Sequence, residues 1–255
     1  MRRLLIACLG LLPVAAVAQP AGPVDLAIAV SLDRSESIDA EDAEAQINGL
    51  IYALRHSRFR DAVAAGPRGR IGLSVVTWSS FGRYQVILPW MQVAGREDAA
   101  LAAEILELDF DRQRAARHGT QTDVAFAIEV GLKQLDQLPW TASQQVINVV
   151  ADGISNIGRV ASVDRDLALA RGITVNGLIM ARGSAIEVMT RYFRREVIGG
   201  ATSFVQVSSS PQDFAEAMLR KMLLEIVRLR PPAPTLATLA PAIEAGGALR
   251  TAGGP

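Results

Sequence analysis

The chain has 255 residues, half of them hydrophobic, which is enough for one sizeable α/β core. Basic and acidic residues number 26 each, so no positive excess points to nucleic acid as a partner. One cysteine and two histidines leave no disulfide framework and nearly exclude the usual zinc sites.

Residues 1–18 read as a secretory signal peptide. Arg2 and Arg3 precede an apolar run at 4–14, and Ala16-Val17-Ala18 offers small residues for cleavage. The run is too short to span a bilayer comfortably, so no transmembrane segment is expected in the mature chain. Cleavage after Ala18 implies a periplasmic or secreted protein. It removes Cys8 and two arginines, leaving 24 basic against 26 acidic residues, a charge of about −2. Acylation at Cys8, as in a lipoprotein, would leave almost no apolar segment ahead of it.

The almost wholly apolar run at 24–31 (VDLAIAVS) suits a central parallel strand covered on both faces. A helix follows, with Asp39 as N-cap, Glu41 and Asp42 in its first turn, and Ile47, Leu50, Ile51 and Leu54 at helical spacing. His56 falls at its end, where a cation complements the helix dipole. Segments 71–77 and 85–90 read as strands too close for a helical crossover, hence an antiparallel hairpin carrying Trp78, Phe81 and Trp90. Then come a helix near 96–108, a polar loop through His118, a helix at about 122–138 and a strand at 145–151. Helices near 163–171 and 184–194 alternate with strands at 173–179 and 203–207.

The last helix starts at Ser210-Pro211, buries Phe214, Met218, Met222 and Ile226, and stops at Pro231-Pro232. Residues 231–255, rich in Pro, Ala and Gly, read as a disordered tail. The alternation predicts one domain at 24–230. It is a doubly wound, mostly parallel six-stranded sheet with one antiparallel edge strand and helices on both faces. Ligands of such sheets bind beyond the carboxyl ends of the strands, where the strand order reverses.

At those ends stand Asp33-Arg34-Ser35-Glu36-Ser37, then Gly119-Thr120-Gln121-Thr122, then Asp152-Gly153. The D-x-S-x-S pattern, the separate threonine and the later Asp-Gly resemble the von Willebrand factor A superfamily and its metal-ion-dependent adhesion site. The likeness is to an uncharacterised secreted bacterial branch, a domain of unknown function, and the runs 175–178 and 197–200 add to it. The resemblance implies Ser35 and Ser37 as direct metal ligands. Thr120 would bind directly or through water, and Asp33 and Asp152 mainly through water. Thr122, at the helix start, reads better as a cap.

Three hydroxyls and two carboxylates suit a hard cation, Mg²⁺ with Mn²⁺ or Ca²⁺ as alternatives, and leave it incompletely neutralised. A partner protein's Asp or Glu carboxylate can then complete the shell. The expected function is therefore metal-dependent protein–protein binding, not enzymatic. The alternatives are a metal-dependent hydrolase of an ester or phosphate, for which no placed general base is found, and a metal-free scaffold. Arg34 and Glu36 stand where a small apolar residue and glycine are usual. Gly153-Ile154-Ser155-Asn156-Ile157-Gly158 is one residue too long for a G-x-S-x-G nucleophile elbow. Asn156 reads as support for the Asp152 loop.

Overall fold

The computed structural model describes residues 22–80, 82–115 and 119–228. The expected signal peptide and tail, with Phe81 and His118, lie outside them. Six strands form one sheet: β1 (Val24–Asp33), β2 (Ile71–Trp78), β3 (Tyr84–Val93), β4 (Ala142–Ala151), β5 (Thr174–Met180) and β6 (Val205–Ser208). Their order is β3-β2-β1-β4-β5-β6. Every pairing is parallel except β2 with β3, the antiparallel edge.

Strand β1 is buried along its whole length and divides its side chains between two helical layers. Leu26, Ile28, Val30 and Leu32 face α1 (Ala40–Arg55), α2 (Ser57–Ala64), α3 (Arg96–Ala115) and α7 (Pro211–Val227). Ala27 and Ala29 face α4 (Val124–Asp136), α5 (Ala161–Ala170) and α6 (Ala185–Tyr192), which continues into a π-helical turn at Phe193–Val197. Helix α4 packs close on β4 at Gly131, where a Cβ would lie 2.6 Å from Ile147 Cγ2. Each buried Leu or Ile side chain contributes roughly 1.5–3 kcal/mol. Trp78 is core, and Trp90 is partly buried with its indole N–H on the Gln134 carbonyl at 2.8 Å, so neither forms a free aromatic surface.

The first helix ends at His56 as expected, and a second helix, α2, which the spacing did not predict, follows at once. His56 is extended (ψ 135°), and its Nδ1 accepts the Arg58 N–H at 3.1 Å, capping α2. His56 therefore both closes α1 and caps α2.

Helix α7 carries an ion pair into the core. Lys221 Nζ reaches Glu225 Oε1 at 2.8 Å, and both side chains are wholly buried. The Asn176 and Asn148 amides also donate to Glu225, at 3.0 and 3.2 Å. Such a pair persists in low dielectric only where added hydrogen bonds satisfy the charges.

Strand order reverses between β1 and β4. The chain runs outward from β1 through β2 to β3, then returns to the other flank of β1 and runs from β4 to β6. The loops leaving β1 and β4 therefore meet at the carboxyl edge of the sheet, above a crevice that no crossover covers.

Candidate functional site

Asp33 is the last residue of β1, and its carboxylate is fully buried. Oδ1 accepts the Ser35 N–H at 2.8 Å, which turns the chain so that the Ser35 and Ser37 hydroxyls point the same way, 3.2 Å apart. Gln46 of α1 holds the turn by donating to the Asp33 carbonyl at 3.1 Å. From the other half of the sheet, Asp152 follows β4, and its Oδ1 accepts the Ser37 hydroxyl at 2.7 Å. Four of the five residues picked from sequence thus converge.

Thr120 does not join them. It is exposed, and the threonine in the cluster is Thr122, buried, with Oγ1 donating to Ser35 Oγ at 3.0 Å. The cap at the start of α4 belongs to Asp123, whose Oδ1 accepts the Phe126 N–H at 3.0 Å. That leaves the Thr122 hydroxyl available to the site. Asn156 grips the Thr122 backbone from both sides, accepting its N–H at 2.9 Å and donating to its carbonyl at 3.0 Å. Asn156 is therefore a positioning residue for the threonine, a role wider than steadying its own loop.

Ser155 Oγ accepts the Val124 N–H at 3.0 Å and lies 3.1 Å from the Tyr192 hydroxyl. It is a loop anchor, and among the described residues its hydrogen-bond partners include no histidine. Gly158, at φ +84°, lies against the Asp123 carboxylate where a side chain has no room. Glu36 is exposed, whereas Arg34 is buried, with its backbone N–H on the Trp78 carbonyl at 2.7 Å.

One hydrogen-bonded series therefore runs Thr122–Ser35–Ser37–Asp152, with Asp33 beneath it. Asp33 Oδ2 is buried without a hydrogen-bond partner. Burial pushes the Asp33 carboxyl up to about 7 against the pull of the Ser35 hydrogen bonds, and repulsion from Asp152 adds to the rise. Burial also raises Asp152, and the Ser37 hydroxyl opposes it. Beside the cluster opens a cleft of about 300 Å³, lined by Ser37, Asp39, Asp42, Asp152, Arg182 and Ser208 among others. Arg182 Nη2 spans it to Asp42 Oδ1 at 3.1 Å. Among the described residues no three carboxylate, imidazole or thiolate groups converge, so hydroxyls would have to supply much of any metal's shell.

Solved structures share this architecture. The vWF domain of the type V pilus tip protein Mfa5 from Porphyromonas gingivalis has a TM-score of 0.58 at 8% identity, over 83% of this chain and 98% of that one. Proximal thread matrix protein 1 from the mussel byssus has a TM-score of 0.56 at 16% identity, over 81% of this chain. This chain spans about half (49%) of the mussel protein's length. The same mussel protein with a zinc-occupied MIDAS motif has a TM-score of 0.55 at 17% identity, over 81% of this chain and 49% of that one. At these identities the likeness establishes the fold, a von Willebrand factor A fold, and nothing finer. No curated protein matches the chain in sequence. A family described as protein of unknown function (DUF1194) matches residues 23–230, and the chain belongs to that family.

Proposed function

We propose that this chain is a metal-dependent protein-binding module. A divalent cation, Mg²⁺ or else Mn²⁺ or Ca²⁺, would be held by Ser35, Ser37, Thr122 and Asp152, with Asp33 acting from beneath. Thr122 takes the place first given to Thr120, because its hydroxyl already lies on Ser35. The donors are all oxygens, which suits hard cations and not thiophilic ones.

The single observation that carries the reading is the buried, unpartnered Asp33 Oδ2 beneath a run of hydroxyls. A lone carboxylate oxygen without a donor is costly inside a protein, and a nearby cation, directly or through water, compensates it. The bound cation would supply Lewis acidity and positive charge. The chain's hydroxyls orient around it and leave it under-neutralised, so a partner's Asp or Glu carboxylate is attracted to the open side. The signal-peptide pattern at 1–18 supports a periplasmic or secreted setting. No described helix is long and apolar enough to cross a membrane. Ser155 is engaged by Val124 and Tyr192, which supports a non-enzymatic role over hydrolysis.

Thermal unfolding tests the proposal. Mg²⁺ or Mn²⁺ should raise the melting temperature, since a ligand of the folded state stabilises it by about 2.7 kcal/mol at a hundred times its Kd. The pair Ser35→Ala and Ser37→Ala should fold and lose the shift. Identical melting curves in EDTA, Mg²⁺ and Mn²⁺ would reject the reading.

A further inference from the structure

Helix α5 is amphipathic the wrong way round. Its inner face is Ala161, Asp164 and Ala168, all buried, while Val163 and Leu167 point outward. Asp164 is kept inside by an ion pair with Arg159. Just before the helix, Ile154, Ile157 and Val160 are also exposed. These five aliphatic side chains are each between 40% and 57% exposed. They form one run of sequence that begins two residues after Asp152. A helix selected only for solubility would turn Asp164 out and the aliphatics in. Five exposed aliphatics so close along the chain suit a contact face.

On the opposite side of Asp152 the surface is acidic. Asp39 and Asp42 line the cleft with Asp152, and among the described residues only Arg182, already held by Asp42, lines it as a cation. Asp39 itself is exposed at the rim.

We propose that the Asp152 edge is a two-sided docking surface for a polypeptide segment that carries a carboxylate with a basic residue to one side and aliphatic residues to the other. The carboxylate goes to the cation, the basic residue to Asp39, and the aliphatics cover Ile154, Ile157 and Val160. Charge complementarity fixes the occupant's polarity: a purely acidic segment is repelled by Asp39 and Asp42, and a purely apolar one has nothing for the cation. This inference rests on the metal-dependent reading above.

The test uses fluorescent synthetic peptides with one central glutamate, a lysine to one side and leucines to the other, made in both directions. Controls replace the leucines, or the lysine, by serine. In Mg²⁺ the full peptide should bind about tenfold tighter than the leucine-free control, about 1.4 kcal/mol. The variant Ile154→Ser/Val160→Ser should erase that preference and keep its Mg²⁺-induced melting shift. Asp39→Asn, which still caps α1, should erase only the lysine preference.

A retained melting shift with no leucine preference refutes the docking surface alone. Melting curves indifferent to Mg²⁺ refute the metal reading and this inference with it. Sedimentation of the native chain as a dimer that the serine variant splits assigns the face to a second copy. Tighter peptide binding after removal of residues 229–255 assigns it to the chain's own segment. Either result overturns the proposal.

Discussion

Asp33→Asn isolates the electrostatic strain at the site. In metal-free buffer the native Asp33 ionises only at about 7 in the folded chain, against 3.8 for an unburied carboxyl. A folded-state value raised above the unfolded one means that the group's contribution is fully present below about pH 4. It is lost as pH rises through about 7, because the unfolded chain releases the proton first. At ~1.4 kcal/mol per tenfold change in proton affinity, the total penalty approaches roughly 4 kcal/mol above pH 8. Of this, roughly 2.5 kcal/mol develops between pH 5 and pH 8.

Asparagine is nearly isosteric, keeps an oxygen for the Ser35 N–H, and carries no titrating proton. Thermal melts of both proteins in EDTA across that interval should therefore diverge, with the native chain losing roughly 5–10 °C relative to Asp33→Asn. Adding Mg²⁺ at pH 8 should restore the native protein and leave the variant unmoved. Parallel melting profiles in EDTA would refute the claim that Asp33 is a strained, cation-seeking carboxylate.

Other perturbations probe the supports of the site. Thr122→Val should abolish the Mg²⁺ melting shift and Thr120→Val should leave most of it; the reverse order, read by calorimetry, would return the ligand role to Thr120. Gly158→Ala places a Cβ 2.3 Å from Asp123 Oδ2 at φ +84°, and should cost about 1–3 kcal/mol in urea titration while weakening the α4 cap. Lys221→Met leaves Glu225 charged and buried with two amide donors, so it should destabilise by about 3 kcal/mol. Lys221→Met with Glu225→Gln should recover part of that loss.

The strands and most helices could be read from apolar runs and spacing because burial on both faces of a central strand leaves so little choice of residue. The breaks were harder. The end of the first helix at His56 was legible, but nothing in the apolar pattern announces that α2 starts straight after it, since that start rests on one imidazole accepting one N–H. The threonine that meets Ser35 was hard to pick for a related reason. Thr122 and Asp123 are both good capping residues, and only the three-dimensional position of Asn156, thirty-four residues away, decides which one caps and which faces Ser35. The aliphatic face of α5 was hidden in the same way: Val163 and Leu167 look like core in sequence, and Asp164 looks like solvent. Local pattern carries burial well; it carries poorly those choices that a distant loop makes.

The seam between β1 and β4 has a consequence for how the molecule could be taken apart. Asp33, Ser35 and Ser37 come from the half built on β1–β3, and Thr122 and Asp152 from the half built on β4–β6. Neither fragment owns the complete cluster. A chain cut in the stretch joining α3 to α4 would re-form the hydroxyl and carboxylate cluster only as its pieces rejoin along that seam, so if the proposed cation binds there, its capture would report reassembly.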